Sequence, residues 1–297
     1  MFSGEEKMDI QVQIINAFTD NGLGGNPAGV VLKADELSPQ QKLNVACKIG
    51  LSETAFVSTS NSAAYKLDFF TPNRQIAHCG HATIATFSYL RQLNCIEEGM
   101  TSKETIDGNR DILIDGDMAF MEQLSPGYKD IDDRTGEVLQ SLGITGNDLM
   151  ANISPVIVNT GNSFMLVPMK NAEAVSQVYP NFAAINKISE DYDLIGYYIF
   201  SKTTQMPGRD AGARMFAPRF GIKEESATGM AAGPLACFLY DKMNIDKDVF
   251  LIEQGHLMNP ASPSVITAKL NLHKQKINKL MAGGNAKVVK SMTVSIK

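Results

Sequence analysis

Hydrophobic and polar residues alternate along several short segments in the first half of the chain, a pattern typical of half-buried strands. The strands predicted there are Asp9–Phe18, Thr54–Ser58 and Tyr65–Phe70. A helix is predicted to begin after Ser38, because a proline follows at the first helical position and a glutamine completes a capping box. A second helix is predicted over His81–Gln92, where apolar residues recur at helical spacing.

The second half of the chain has the same mixture of short strands and helices. A polar, turn-rich stretch from Ser125 to Asp148 contains a short predicted helix, Gly136–Leu142, and a longer helix is predicted over Met230–Tyr240. Strands are predicted at Ile153–Asn159, Ser163–Val167, Ile195–Ser201, Ala211–Phe216, Val249–Glu253, Val265–Asn271 and Ala286–Ile296. The mixture indicates an α+β protein.

Two motifs recur about half a chain length apart and in the same order. F-T-P at Phe70 leads to C-G-H-A-T-I-A at Cys79, and F-A-P at Phe216 leads to E-S-A-T-G-M-A-A at Glu225; G-N-P-A-G-V-V-L at Gly25 pairs with G-N-S-F-M-L-V-P at Gly161. Either match alone can arise by chance, but the two together favour an internal duplication. We therefore predict two pseudo-symmetric lobes, each with a mixed sheet wrapped around a central helix, and both helix starts facing one cleft.

Chain length supports this division, since 297 residues exceed the usual size of one hydrophobic core. We expect an N-terminal lobe at 8–124, completed by the C-terminal strand 286–297, and a C-terminal lobe at 129–285. The net charge of −5 gives no electrostatic reason to expect nucleic acid or an anionic membrane as a partner.

The four cysteines are scattered and form neither C-x-x-C pairs nor a disulfide framework. The first seven residues, M-F-S-G-E-E-K, lack the apolar core of a secretion signal. No apolar run approaches the roughly 18 residues that span a bilayer. We therefore expect a cytoplasmic protein with reduced thiols.

Glycines beside the two central helix starts suit the binding of an anion. A helix N-terminus carries unpaired N–H groups and a partial positive charge, so it can hold a carboxylate without a metal. Glycine in Cys79-Gly80-His81 and in Thr228-Gly229 lets a ligand approach the backbone closely. Two such starts in one cleft would hold a small anionic substrate from both sides. The same glycines are equally compatible with simple capping.

Ionisable residues near the first of these helix starts are candidates for chemistry. Glu53 lies between a predicted helix and a predicted strand, where a carboxylate serves either as a general base or as an ordinary solvated edge residue. His81 serves either as a helix cap or in catalysis. His78 and Cys79 next to it would suggest a metal site, but no fourth ligand group appears at a recognisable spacing, so we expect no metal.

Several motifs, taken together and in order, closely resemble PhzF-like proteins of phenazine biosynthesis. They are N-A-F-T-D-N-G-L-G-G-N-P-A-G-V-V-L from Asn16, L-S-E-T-A-F-V from Leu51, F-T-P-N-R-Q-I-A-H-C-G-H-A-T-I-A from Phe70 and M-F-A-P-R-F-G-I-K-E-E-S-A-T-G-M-A-A-G from Met215. The last is similar to the family's second signature, E-D-P-x-T-G-S. The resemblance covers nearly the whole chain from about Asp9 and implies the diaminopimelate epimerase-like fold.

The resemblance also implies a cofactor-independent isomerase that acts by general acid–base proton transfer on a small carboxylate-bearing metabolite. The founding enzyme of the family isomerises a dihydro-hydroxyanthranilate by moving a proton along a conjugated system. Glu53 corresponds to the acid–base residue, and His81 and Glu225 correspond to residues that orient the substrate and share the proton transfer. Substrate-binding positions carried over are Asn26, Gly80, Thr83, Thr228, Gly229 and Met230. Family members are often homodimers, so a homodimer is expected.

Three departures from the family pattern argue for a substrate other than that of the founding enzyme. Glu225 replaces aspartate, Ser226 replaces proline, and Met230 replaces a hydroxyl residue with a thioether that cannot donate a hydrogen bond. Two alternatives stay open. One is a two-thiol racemase or epimerase, since C-G-H-x-T resembles the first proline-racemase motif, although Cys237 lies two turns inside the second helix. The other is a non-catalytic relative that only binds a small acid.

Overall fold

The computed structural model describes residues 7–297. The polar segment 1–6, on which the cytoplasmic prediction partly depends, lies outside the described residues. Within 7–297, no helix combines the length and the apolar character needed to cross a membrane.

The first part of the chain alternates strands with two helices. The strands are β1 (Met8–Ala17), β2 (Asn26–Val31), β3 (Thr54–Ser58), β4 (Tyr65–Phe70), β5 (Gln75–Ile76), β6 (Gly99–Thr105), β7 (Gly108–Asp115) and β8 (Met118–Leu124), and the helices are α1 (Pro39–Ile49) and α2 (Gly80–Gln92). The predicted elements of this part are confirmed, including the capping box of Ser38 and Gln41 at the start of α1. Strands β6 to β8 were not predicted; polar residues occupy most of β6.

The second part of the chain contains more strands and four helices within the described residues. The strands are β9 (Gly127–Asp130), β10 (Val156–Asn159), β11 (Ser163–Pro168), β12 (Gly196–Ser201), β13 (Ala211–Ala217), β14 (Ile222–Glu225), β15 (Val249–Gln254), β16 (Ser264–His273), β17 (Lys276–Gly284) and β18 (Ala286–Ile296); the helices are α3 (Thr135–Ser141), α4 (Ala172–Ser176), α5 (Phe182–Asp191) and α6 (Gly229–Asp241). The strand predicted from Ile153 begins only at Val156, because Pro155 has no N–H to contribute to a ladder. The polar stretch after Ser125 contains β9 as well as the predicted helix.

The chain forms two compact units. The first contains the chain up to Gly22, Asn26–Glu122 and Gly283–Lys297, and the second contains Leu23–Gly25 and Gln123–Ala282.

The same strand order occurs in both units. In the first, β18, β1 and β2 pair antiparallel, β2 pairs parallel with β3, β3 antiparallel with β4, and β4 then pairs antiparallel with β5 and parallel with β6. In the second, β9, β10 and β11 pair antiparallel, β11 pairs parallel with β12, β12 antiparallel with β13, and β13 then pairs antiparallel with β14 and parallel with β15. The predicted duplication is thus confirmed as two pseudo-symmetric mixed sheets.

A buried helix occupies the core of each unit. Helix α2 packs against β1, β2, β3, β7 and β18, and α6 packs against β10, β11 and β16. Because α2 is surrounded by strands, four of its polar residues, His81, Thr83, Thr86 and Ser88, are buried as well. The Thr86 hydroxyl is satisfied by donating to the Ala82 carbonyl at 2.7 Å. A mixed sheet around a central helix in each unit confirms the predicted α+β class.

Candidate functional site

The start of α2 lies inside the first unit and has no side-chain cap. Its N-cap residue Cys79 has extended backbone geometry, with φ −145° and ψ 120°, and its side chain makes no capping hydrogen bond. Gly80 is the first helical residue, so no side chain covers the backbone at that point. Helix N-termini leave N–H groups without intrahelical acceptors, and these groups attract negative charge. The predicted binding positions Gly80 and Thr83 lie in this first turn.

Glu53 and His81 form a close pair beside this helix start. The Oε2 atom of Glu53 lies 3.3 Å from Nε2 of His81, and the two side chains are 15% and 6% exposed. Within residues 7–297 no donor makes a hydrogen bond of good geometry to that buried Glu53 oxygen. A carboxylate oxygen that is shielded from water and not tied by strong hydrogen bonds is available to take a proton.

The backbone of β2 places Glu53 for this contact. Glu53 immediately precedes β3, and its carbonyl accepts a hydrogen bond from the Gly29 N–H at 3.1 Å. A Cβ added at Gly29 would lie 2.8 Å from Oγ1 of Thr54, the residue after Glu53. Glycine at this position of β2 therefore allows the two strands to approach closely where Glu53 enters the sheet.

The second ring nitrogen of His81 faces a thiol. Sγ of Cys79 lies 3.6 Å from Nδ1 of His81, so the ring contacts Cys79 through one nitrogen and Glu53 through the other. A neutral imidazole donates from one nitrogen and accepts at the other. The three side chains therefore form a row along which a proton can move between carboxylate, imidazole and thiol.

Among the residues that the structure describes, the same three side chains are close enough together to be considered for a metal ion. One ligand atom from each of Glu53, Cys79 and His81 lies within 4.8 Å of the others. Histidine, cysteine and carboxylate are all zinc ligands. A metal can bind only one nitrogen of His81, however, and both nitrogens are already in contact with the other two residues. The arrangement therefore fits proton transfer better than joint metal coordination.

Lys103 of β6 is fully buried behind the start of α2. Its Nζ donates to Oγ1 of Thr83 at 2.6 Å, lies 3.2 Å from Nδ1 of His78, and sits 5.0 Å from the centre of the Phe69 ring. Burial lowers the pKa of Lys103 to about 7; the Cys79 sulfur opposes this shift and the positive charge of Arg110 adds to it. Burial, together with Lys103, lowers the pKa of His78 to about 3, so His78 is neutral at physiological pH.

Because its pKa is lowered, we expect Lys103 to make the stability of the protein depend on pH. Between pH 7 and 10 the unfolded chain keeps a proton on this amine that the folded protein has released, so folding becomes more favourable as pH rises. Relative to Lys103→Met, we expect the free energy of unfolding of the wild type to rise by about 4 kcal/mol over this range. Each of the three pH units contributes about 1.4 kcal/mol. Urea unfolding of both proteins at pH 7, 8, 9 and 10 measures it. A constant difference between them would contradict the lowered pKa of this lysine.

The start of α6 in the second unit carries a different polar cluster. Glu225 ends β14, and the Thr228 hydroxyl donates a short hydrogen bond to its Oε2. Gln254 of β15 donates from Nε2 to the Glu225 carbonyl at 2.7 Å and to Thr228 Oγ1 at 3.2 Å. Its Oε1 accepts from the Thr228 N–H at 3.1 Å and from the Tyr198 hydroxyl at 2.9 Å. Burial and the Glu225 charge raise the pKa of Tyr198, which therefore stays a donor.

Two departures from the family pattern have visible partners in this second cluster. The Ser226 hydroxyl donates to the Gly25 carbonyl at 3.0 Å. The Met230 sulfur accepts from the Asn162 side-chain amide at 3.6 Å. Proline at position 226 has no hydroxyl and could not donate to the Gly25 carbonyl, and serine at position 230 is shorter than methionine.

A family model described as "Phenazine biosynthesis-like protein", PhzC-PhzF, matches residues 15–291 of the chain. The chain belongs to this family. An uncharacterized isomerase of Clostridium acetobutylicum is 30% identical over 292 residues, which are 93% of this chain and 94% of the relative. The trans-2,3-dihydro-3-hydroxyanthranilate isomerase of Pseudomonas fluorescens is 27% identical over 282 residues, 92% of this chain and 94% of that protein.

A solved structure supports the same assignment to the PhzC-PhzF family. The Bacillus anthracis phenazine biosynthesis protein of the PhzF family superposes with a TM-score of 0.87 at 27% identity, and covers 97% of this chain and 100% of its own. The predicted diaminopimelate epimerase-like fold and the predicted PhzF-like isomerase class are thereby confirmed. The roles of individual residues stay predictions.

The predicted site residues of this PhzC-PhzF protein fall into one group in each unit. Asn26, Glu53, Gly80, His81 and Thr83 belong to the first unit, and Glu225, Thr228, Gly229 and Met230 belong to the second. Glu53 and His81 are brought into contact, and Asn26 begins β2, the strand that also supports Glu53. The Thr83 hydroxyl already donates to the Cys79 carbonyl at 2.6 Å and accepts from Lys103.

Sequence reasoning missed Lys103, Gln254 and Tyr198. Lys103 stands in the polar run M-T-S-K-E-T, which has no strand-like alternation, and nothing in its neighbourhood marks an inward-facing lysine. Gln254 ends the strand V-F-L-I-E-Q, where no local pattern predicts a role for a buried glutamine. The sequence carries no signal for the burial of Lys103.

Proposed function

We propose that this protein is a cofactor-independent isomerase that moves a proton on a small carboxylate-bearing metabolite, with Glu53 as the acid–base residue. The observation that carries the proposal is the buried contact between Glu53 Oε2 and His81 Nε2 at the start of α2. Isomerases among the relatives support the reaction class.

In the proposed reaction, Glu53 takes a proton from one carbon of the metabolite. The electron pair of the broken C–H bond enters an adjacent conjugated system, and protonated Glu53 returns the proton to a second carbon. Atoms and electrons balance without an oxidant or reductant. The His81 ring lies against the Glu53 carboxylate at Nε2 and against the Cys79 thiol at Nδ1.

The backbone at the start of α2 is proposed to bind the carboxylate of the substrate. The Cys79 side chain contacts His81 and does not cap the helix, and a helix start of this kind suits an anionic ligand. A helix N-terminus carries about half a unit of positive charge and a few N–H donors, which match one carboxylate. We therefore propose that the substrate is a small anion.

Met230 argues for a substrate other than trans-2,3-dihydro-3-hydroxyanthranilate. Its thioether accepts from Asn162 and offers no hydroxyl at the start of α6. The two-thiol alternative needs a second reactive thiol at the start of α6, but the cysteine of that helix, Cys237, is buried and burial raises its pKa. A homodimer and a cytoplasmic setting stay predictions.

A turnover panel tests this proposal. The purified protein is incubated with trans-2,3-dihydro-3-hydroxyanthranilate and with small unsaturated amino and hydroxy acids, and products of unchanged mass are separated by chromatography. We expect at least one acid to be converted, and a different acid to be converted faster than the hydroxyanthranilate. Calorimetric binding of these acids without conversion of any would favour the non-catalytic alternative and contradict the proposal.

A further inference from the structure

The duplicated fold supplies an internal comparison for Lys103. Tyr65 at the start of β4 pairs with Lys103, and Ala211 at the start of β13 pairs with Ile252. Tyr65 and Ala211 each lie five residues before the phenylalanine of the repeated F-x-P motif, so Lys103 and Ile252 are equivalent positions.

The partner of Lys103 also has an apolar equivalent. Thr83 is the fourth residue of α2, and Ala232 is the fourth residue of α6. Both Ile252 and Ala232 are fully buried. One repeat of the fold therefore fills this place with an apolar pair, and the other fills it with a lysine and a threonine.

The fold itself does not require the lysine. Burying an ammonium group is unfavourable unless hydrogen bonds and nearby charges compensate, and an apolar pair of similar volume avoids this loss. Since the second unit forms the same strand and helix arrangement with isoleucine and alanine, the polar pair of the first unit must serve something specific to that unit.

The contacts of Lys103 lead to the proposed catalytic residues. Its Nζ donates to Thr83 Oγ1 at 2.6 Å, and the Thr83 hydroxyl donates to the Cys79 carbonyl at 2.6 Å. Its Nζ also contacts His78 Nδ1 at 3.2 Å. The two residues that precede Gly80 are thus both held by one buried amine, and Cys79 in turn contacts His81.

We infer that Lys103 is a positioning residue of the Glu53–His81–Cys79 site: it fixes the chain at residues 78 and 79 and places a positive charge near the Cys79 sulfur. This inference rests on the proposed function, since it assigns Lys103 to the support of that site. Lys103 does not touch substrate, because it is fully buried. It acts through Thr83, His78 and Cys79.

Lys103 changes between its charged and its neutral form near neutral pH. The groups that influence its pKa of about 7 are the Cys79 sulfur, which raises it, and Arg110 of β7, which lowers it together with burial. His78 faces the same amine and stays neutral in this range. The positive charge behind the start of α2 is therefore present below about pH 7 and lost above it.

A first test needs no substrate. Lysine side chains are labelled with ¹⁵N and followed by NMR from pH 5 to 10, and the signal absent from Lys103→Met identifies Lys103. We expect a midpoint near the pKa of about 7, and a lower midpoint in Cys79→Ser because the sulfur no longer favours the charged amine. A midpoint in the ordinary lysine range, or one unchanged by Cys79→Ser, would overturn the inference even if the proposed function holds.

A second test uses the apolar pair of the other unit. The double variant Thr83→Ala/Lys103→Ile copies Ala232 and Ile252, and Thr86→Ala removes a buried hydroxyl one turn further along α2 as the control. On the acid that the wild type converts, we expect kcat of the double variant to fall at least ~10-fold with KM nearly unchanged, since small misplacement of catalytic groups has effects of this size or larger. The control should keep wild-type kcat.

The outcomes of this second test separate positioning from packing. The pH profile of kcat in the wild type should change near pH 7, and the double variant should lack that change. A double variant that keeps wild-type kcat, or one that fails to fold, would assign Lys103 to packing alone and overturn the inference. If the wild type converts no acid, the proposed function fails on those probes, and the NMR titration decides the inference by itself.

Discussion

Replacing Glu53 by glutamine is expected to lower kcat by roughly 10²–10⁴-fold, which is the usual contribution of a positioned acid–base group. Glutamine keeps the shape of the side chain and can still contact His81, but its amide cannot take a proton from carbon. The loss should appear in kcat with KM nearly unchanged, because the removed step belongs to proton transfer and not to binding. Steady-state kinetics on the converted acid measures both constants.

A matched control distinguishes this effect from a general change of charge. Glu98 is an exposed glutamate of the same unit, outside the site, and Glu98→Gln should keep wild-type kcat. Calorimetry should find the same affinity for the acid in Glu53→Gln and in the wild type. Equal kcat in Glu53→Gln and Glu98→Gln would remove Glu53 from the reaction.

Replacing Gln254 by leucine is expected to destabilise the second unit by about 3 kcal/mol. The leucine would leave the Tyr198 hydroxyl and the Thr228 N–H buried without their acceptor, and each unsatisfied buried donor costs about 1–3 kcal/mol. The Glu225 carbonyl would also lose its donor. Urea unfolding followed by circular dichroism measures the change.

A second substitution checks the cause of this destabilisation. In Tyr198→Phe the hydroxyl is already absent, so Gln254→Leu should cost less in that background than in the wild type. Gln140→Leu replaces an exposed glutamine of α3 and should change stability by less than about 0.5 kcal/mol. A similar small loss for Gln254→Leu would show that the hydrogen bonds of Gln254 contribute little.

The fold could be predicted from the sequence to a large extent because its signals are local or repeated. The predicted bounds of Thr54–Ser58, Tyr65–Phe70 and Ala286–Ile296 agree with the structure, since turn residues delimit each of these segments. The repeated F-x-P and glycine motifs indicated the duplication before any strand pairing was known.

Elements with polar sequences could not be predicted. Strand β6 has polar residues on both faces, and its lysine at position 103 is buried in spite of its type. Burial of such a side chain depends on the helix that covers it, and periodicity carries no information about that contact. The short strand β9 was not predicted for the same reason, because it lies within a polar stretch.

The sequence could predict which residues belong to the candidate site, but not which of them are in contact. The resemblance pointed to Glu53 and His81, whereas their 3.3 Å contact and the approach of Cys79 to the other ring nitrogen depend on the packing of β3 against the start of α2. Spacing in the sequence cannot supply distances between residues 28 positions apart, which are set by tertiary structure.

Incorporation of solvent deuterium tests the central claim most directly, namely that Glu53 carries the transferred proton. The acid that the wild type converts is incubated in D₂O with the wild type and with Glu53→Gln, and the label is located by NMR and mass spectrometry. We predict label at the carbon that receives the proton with the wild type, and none above background with Glu53→Gln, although the variant still binds the acid. Incorporation at the wild-type rate by Glu53→Gln would contradict the account.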